Sequence, residues 1–108
     1  MTLQIAARGV RLLPSFVDAV ERKAAQAFDR FERSLIDVRL MLRDLNGPKG
    51  GTDKLCRVEI AVVHGPNIIV ESRGDDVLSV AGRAIDRAAH AVSRRLERLT
   101  NSRHGRAG

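Results

Sequence analysis

A row of basic side chains stands out in the last third of the sequence. Its members recur at spacings of four, three, four and four, which places them along one side of a helix. They are Arg83, Arg87, His90, Arg94 and Arg98, and Arg95 flanks the row. Side chains spread in this way over about four helical turns can follow a run of phosphates. The alternative is an ordinary solvated face, but this segment has few acids, namely Asp86 and Glu97.

The net charge of +6 is concentrated toward the carboxyl end of the chain. Residues 1–76 contain 12 Lys and Arg against 11 Asp and Glu, whereas residues 77–108 contain 7 against 2. A one-ended basic excess indicates a polyanionic partner, either a nucleic acid or a membrane surface. Arginine outnumbers lysine by 16 to 3. Because the guanidinium fork matches phosphate oxygens bidentately, this preference favours nucleic acid.

Other side chains that can do chemistry have simpler structural explanations. Cys56 is the single cysteine of the sequence, and we interpret it as a small buried hydrophobe in a reducing cytosol. Asp75 or Asp76 is expected to cap the helix that follows. Ser79 and Ser93 lack a base with an orienting group. No His, Cys, Asp or Glu pair has metal-ligand spacing, so we expect no metal site. The sequence contains no assembled active site, and we expect no enzymatic activity, cofactor or small-molecule substrate.

Two further segments carry basic residues outside the last helix. The stretch Gly47–Gly51 contains Lys49 but lacks the strand–loop–helix context and the Gly-Lys-Ser/Thr ending of a nucleotide-binding loop. We interpret it as a hairpin loop that can touch phosphates. Arg8 and Arg11 fall in the predicted connection between the first strand and the first helix, where we expect them to extend the basic surface.

Hydrophobic periodicity predicts the elements that position these residues. Alternating patterns predict strands over residues 2–7, 35–45, 54–64 and 68–73. In the second strand, the residues expected to face inward are Ile36, Val38, Leu40 and Leu42. Apolar residues three and four apart predict helices over residues 14–32 and 76–99, the second with a stripe that ends at Leu99. The three Phe lie at helical spacing in the first helix, which favours core packing over base stacking.

The predicted fold class is α+β, with a two-layer β-α-β-β-β-α order and both helices on one face of a four-stranded sheet. A length of 108 residues fits one domain, which we expect at residues 1–99, followed by a flexible polar tail at residues 100–108. No apolar run approaches the roughly 20 residues that span a bilayer. We therefore expect a soluble, cytoplasmic protein.

Residues 1 to about 99 resemble the ribosome hibernation-promoting factors, also called ribosome-associated inhibitor or light-repressed proteins. The similar segments are the opening strand TLQIAARGV, Leu12-Leu13-Pro14 before a helix with Lys23, Phe31-Glu32-Arg33, the turn His64-Gly65-Pro66-Asn67, Asp75-Asp76, and the stretch from Ala84-Ile85-Asp86-Arg87 to Ser93-Arg94-Arg95-Leu96. The chain departs from the family at Leu78, where members usually have an aromatic, at Gly82, usually an acid, and at His90, commonly Arg or Lys.

The resemblance implies a bacterial factor that silences idle ribosomes in stationary phase or under stress. It implies docking on the small ribosomal subunit, in the channel between head and body where tRNA and mRNA bind, with basic residues of both helices on ribosomal RNA. The contacts carried over by position are Lys23, Arg83, Arg87, His90, Arg94 and Arg95. If such a short chain promotes ribosome pairing, the resemblance implies a helper protein.

Two alternatives come from other classes of protein. A double-stranded-RNA-binding module has a related α-β-β-β-α layout and uses basic residues of its last helix, but this chain has Val77-Leu78-Ser79-Val80 where such modules have paired lysines. A protein–protein module would use the outer face of the sheet. That face has mixed charges and no apolar patch visible in the sequence, which disfavours this alternative.

Overall fold

The computed structural model describes residues 1–45 and 53–107, with side chains described as far as Thr100. The predicted Gly47–Gly51 loop with Lys49 lies outside the described residues. The elements in chain order are β1 (Thr2–Arg8), α1 (Pro14–Phe28), a 3₁₀ segment (Asp29–Ser34), β2 (Leu35–Asp44), β3 (Lys54–Val62), β4 (Ile68–Gly74) and α2 (Val77–Ala107).

The four strands form one mixed sheet in the order β1-β2-β3-β4. β1 is parallel to β2, because α1 carries the chain back across the sheet between them, and the other two pairs are antiparallel. α2 packs on β3 and β4 and against α1, so both helices cover the same face. The predicted two-layer α+β fold is confirmed.

The core lies between the sheet and the two helices and consists mainly of aliphatic side chains. The largest fully buried residues are Phe28, Leu40, Leu42, Ile60 and Ile85. Cys56 is also fully buried among them, as predicted, and burial raises the pKa of its thiol to about 12. A thiol with this pKa remains protonated, and therefore unreactive, at neutral pH.

The predicted inward position of Ile36 is wrong. Ile36 is 56% exposed, whereas Leu35 beside it is only 4% exposed. The β2–β3 register shifts between Leu35 and Asp37, as at a β-bulge. One extra residue reverses the alternation of side chains, so Leu35 takes the core position that a regular strand would give to Ile36.

Both helices end at places that differ from the prediction. α1 ends at Phe28, and residues 29–34 form a 3₁₀ segment instead of continuing the α-helix to residue 32. Side chains three apart eclipse in a 3₁₀ helix, which brings Phe31 into the core below Phe28. α2 continues to Ala107, eight residues beyond the predicted end at residue 99. Leu99, expected in the buried stripe, is 37% exposed.

Asp76 is the residue that caps α2. Its Oδ2 atom accepts hydrogen bonds from the Ser79 hydroxyl at 2.7 Å and from the Ser79 backbone N–H at 2.9 Å. These two bonds favour the charged carboxylate and lower the pKa of Asp76. The choice that the sequence left open between Asp75 and Asp76 is thereby decided. Within the described residues, no helix combines the length and apolarity needed to cross a bilayer.

Replacing Gly82 with alanine should stabilise the fold by about 0.5–1 kcal/mol, because Gly82 lies inside α2 and a Cβ there meets no atom within 4 Å. The matched substitution Gly74→Ala should destabilise it by about 1–3 kcal/mol. Its Cβ would lie 2.5 Å from Arg83 Nη2 and 2.9 Å from Val80 Cγ2. Urea denaturation followed by circular dichroism measures both effects. A G82A variant less stable than the wild type would contradict this account of the helix.

Removing the cap with Asp76→Ala should lower the melting temperature at neutral pH, whereas Asp75→Ala, beside it, should change it little. The pKa of Asp76 is lowered by folding, so its contribution to stability is present at neutral pH and is lost as the carboxylate becomes protonated. The difference between D76A and the wild type should therefore shrink as the pH falls into the acid range. A difference that stays constant with pH would show that the charged cap is not its cause.

Candidate nucleic-acid interface

Three arginines of α2 bind backbone carbonyls along the free edge of the sheet. The hydrogen bonds run from Arg83 Nη2 to the Arg73 carbonyl at 2.7 Å, from Arg87 Nη1 to the Glu71 carbonyl at 2.8 Å, and from Arg95 Nη1 to the Pro66 carbonyl at 3.0 Å. Four residues of helix rise about 6 Å and two residues of strand about 6.6 Å. The step of four from Arg83 to Arg87 therefore matches the step of two along β4 from the Arg73 to the Glu71 carbonyl, and Arg95 meets the Pro66 carbonyl in the turn before β4. We call these three residues the arginine ladder.

The arginine ladder has two physical consequences. It covers the edge of β4 with side chains and charge, which hinders pairing with a strand of another molecule. It also holds each guanidinium in one place, although a guanidinium has five N–H donors and these bonds occupy few of them. Arg83 uses one more, because its Nε donates to the buried Ser72 hydroxyl at 3.3 Å. The remaining donors are available to an anion at the surface.

The ladder is interrupted at Ala91, four residues after Arg87 and four before Arg95. An alanine side chain cannot reach the strand, and a concavity of about 530 Å³ lies there between α2 and β4. Its lining residues are Val70, Glu71, Asp86, Arg87, His90, Ala91 and Arg94. The concavity thus combines an apolar base at Val70 and Ala91 with two arginines and two acids around it.

His90, Arg94 and Arg98 are exposed on α2. None of them has a hydrogen-bond or ion-pair partner within the part of the chain that the structure describes. Lys23 of α1 lies at the same surface, where its Nζ is 2.9 Å from Asp86 Oδ1. Both side chains of this pair are largely exposed, so it contributes little to stability and can exchange for a phosphate contact.

Arg95 is fixed by the turn between β3 and β4. Gly65 in that turn has a φ of +103°, a conformation that residues with a side chain rarely adopt. A Cβ at Gly65 would also lie 2.7 Å from Arg95 Nη1. Glycine at this position therefore allows both the left-handed backbone conformation and the close approach of the Arg95 guanidinium.

The six residues predicted from the sequence thus divide into three groups. Arg83, Arg87 and Arg95 are anchored to the sheet, Lys23 is held by Asp86, and His90 and Arg94 are unpartnered among the described residues. The anchoring was missed by sequence reasoning, although the spacing of four between Arg83 and Arg87 was visible. What was not visible is that this spacing matches the carbonyls of an edge strand.

Arg8 does not extend this surface, contrary to the prediction. It is the last residue of β1, not part of a loop, and it alternates with the inward residues Leu3, Ile5 and Ala7. Strand alternation therefore places it on the sheet face opposite the helices. Among the described residues, no three His, Cys, Asp or Glu side chains cluster in a way that could hold a metal ion.

The chain matches one known protein family over most of its length. The sequence profile of the family described as "Sigma 54 modulation protein / S30EA ribosomal protein" matches residues 3–103. The chain belongs to this family. Its members are ribosome-associated regulators of translation rather than a known family of enzymes, and the match confirms the resemblance to hibernation factors.

Solved structures show the same fold. The Protein Y N-terminal domain from Thermus thermophilus superposes with a TM-score of 0.71 at 22% identity, covering 87% of this chain and 98% of that chain. A ribosomal subunit interface protein from Coxiella burnetii superposes with a TM-score of 0.68 at 15% identity, covering 94% of this chain and 99% of that chain. Among curated protein sequences, none matches the chain.

We predict that the anchored arginines of α2 contribute to the stability of the fold and that the unpartnered ones do not. Arg83→Ala removes hydrogen bonds to Ser72 and to the Arg73 carbonyl and should lower the free energy of unfolding by about 0.5–1.5 kcal/mol. Arg94→Ala removes the same charge without a partner and should change stability by less than about 0.5 kcal/mol. Urea denaturation of both variants measures the difference. Equal effects would show that the hydrogen bonds of Arg83 contribute nothing to the fold.

Proposed function

We propose that this protein inhibits translation by occupying the tRNA- and mRNA-binding channel of the small ribosomal subunit in the bacterial cytoplasm. The surface of α2 with Lys23 would lie on ribosomal RNA. The observation that carries the proposal is the row of cations beside the concavity at Ala91, in a chain that belongs to a family of ribosome-associated regulators.

The geometry favours contacts with phosphates over reading of bases. Two of the three Phe, Phe28 and Phe31, are buried, and Phe16 is half-buried, so the aromatic side chains are committed to the core. Recognition must then rest on charge and on the shape of the RNA. Arg83, Arg87 and Arg95 are held by carbonyls before RNA arrives, so they lose less conformational entropy on binding than free arginines would.

Inhibition would result from occupancy rather than from catalysis. A protein seated on the RNA of the channel excludes tRNA and mRNA for as long as it remains bound, and therefore blocks initiation. The partner is the small subunit, with no membrane, cofactor or small-molecule substrate involved. Pairing of two ribosomes, if it occurs, would need a helper protein in addition to this domain.

The test is co-sedimentation of the protein with isolated small ribosomal subunits over a series of salt concentrations. We expect saturation near one copy per subunit, and binding that a plain RNA duplex does not displace. The double variant Arg87→Gln/Arg94→Gln should bind at least tenfold more weakly, since each charged hydrogen bond contributes about 1.5–3 kcal/mol. The slope of its salt dependence should fall by about 0.7–0.9 for each phosphate that the variant no longer neutralises.

The matched control is Arg39→Gln/Arg57→Gln, which removes the same charge from the opposite face of the protein. Arg39 and Arg57 lie on the open face of the sheet beside Glu59 and Glu71 respectively. This variant should retain most of the affinity. Wild-type affinity of the Arg87 and Arg94 variant would overturn the assignment of the interface to α2. Ready displacement by the duplex would favour a general double-stranded-RNA-binding module instead.

A further inference from the structure

Two arginines lie side by side at one end of the open sheet face. Arg8 of β1 and Arg43 of β2 are direct partners in the parallel register of these strands, and both are exposed. Neighbouring strands are about 4.8 Å apart, so the two side chains leave the sheet close together on the same face. Like charges opposite one another in this way destabilise a sheet. The pair therefore has an electrostatic cost that the fold alone does not explain.

Two acids near this end of the sheet form ion pairs with other cations. Asp44 Oδ2 is 3.0 Å from Lys54 Nζ, and Asp53 Oδ2 is 2.5 Å from Arg73 Nη2. The hydrogen bonds and the charge of Asp53 raise the pKa of Arg73 further above its usual value, so the charged form of this pair is favoured.

Arg8 and Arg43 have no hydrogen-bond or ion-pair partner in the described portion of the chain. The other two arginines near the middle of this face differ, because each has an acid as its register partner: Glu59 opposite Arg39, and Glu71 opposite Arg57. The excess positive charge on the face is thus localised at one end.

A concavity of about 300 Å³ lies beside the two arginines. Its lining residues are Ala6, Ala7, Arg8, Met41 and Arg43. Ala6 and Met41 are register partners two residues before Arg8 and Arg43, and Met41 is 40% exposed. The site therefore pairs two guanidiniums with a flat apolar floor made of one small and one adaptable side chain.

Gly9 keeps the two strand ends together. It has a φ of +74°, and a Cβ there would lie 3.3 Å from Asp44 Cβ. The chain can therefore turn away from β1 directly after Arg8 while remaining against the end of β2. This turn leaves Arg8 at the rim of the concavity, beside Arg43.

We propose that Arg8 and Arg43 form a second RNA contact, on the opposite layer of the protein from α2. The two guanidiniums would share one phosphate of an RNA strand, and Ala6 and Met41 would take the adjoining ribose or base. The proposal rests on the proposed function and deepens it, because it places the protein between two segments of RNA. Two cations beside an apolar floor match a nucleotide, which has a charged and a flat part, better than an acidic peptide.

The first experiment compares Arg8→Gln/Arg43→Gln with Arg39→Gln/Arg57→Gln in co-sedimentation with small ribosomal subunits. Both variants remove two charges from the same sheet face, but only Arg8 and Arg43 lack acidic register partners and line this concavity. We expect the Arg8 and Arg43 variant to bind about tenfold more weakly and its salt slope to fall by about 0.7–0.9 for the shared phosphate. It should remain folded, because the substitution removes a repulsion.

The second experiment identifies the macromolecule on the sheet face. A photo-crosslinking amino acid at position 41, with both arginines intact, should yield a crosslink to ribosomal RNA when subunits are added. A crosslink to a ribosomal protein, or none, would overturn the proposal.

The outcomes also separate this site from the interface on α2. If both sheet-face variants lose the same affinity, binding depends only on the net charge of the protein. This result would overturn the proposed contact at Arg8 and Arg43. Wild-type binding of the Arg8 and Arg43 variant, together with weak binding of Arg87→Gln/Arg94→Gln, would overturn the site and leave the proposed function standing. Weak binding of the Arg8 and Arg43 variant, together with wild-type binding of Arg87→Gln/Arg94→Gln, would support the contact on the sheet face and overturn the assignment of the interface to α2.

Discussion

The contact between α2 and the edge strand β4 organises most of this structure. Helix and strand advance by nearly the same distance for four and for two residues, so side chains spaced by four can meet successive carbonyls of the strand. Arg83 and Arg87 use this match, and Arg95 extends it to the turn at Pro66. The protection of the sheet edge and the placement of the cations both depend on it.

Arginine serves two purposes here because it has more donors than the fold requires. A lysine in the ladder would place a single ammonium on the carbonyl, whereas a guanidinium can bind the carbonyl and still present other N–H groups to a phosphate. This explains why a basic helix can pack closely on a sheet without losing its value as a binding surface. The interruption at Ala91 opens the concavity where His90 and Arg94 lie, so the one missing rung shapes the candidate interface.

The basic residues on the two faces of the sheet have different kinds of partner. On the helix side, some basic residues are held by carbonyls or by Asp86, and others have no partner among the described residues. On the open side, Arg39 and Arg57 lie opposite acids in the neighbouring strand. Arg8 and Arg43, at one end of the open side, are register partners of each other and have no acidic partner among the described residues. Family membership accounts for the association with ribosomes, and these local imbalances indicate where RNA would be bound.

The sequence by itself determined the order of elements, the aliphatic core and the basic side of α2. Apolar residues recur every two positions in strands and about every 3.6 positions in helices, and charge is a property of each residue, so all three can be recognised locally. Tertiary structure decided the rest. The bulge before Asp37 turned Ile36 outward, a 3₁₀ segment with buried Phe31 replaced the end of the predicted first helix, and strand alternation placed Arg8 on the opposite face. Which carbonyls received Arg83, Arg87 and Arg95 depended on how a helix lies across an edge strand. Such a relation between distant segments is absent from any local pattern.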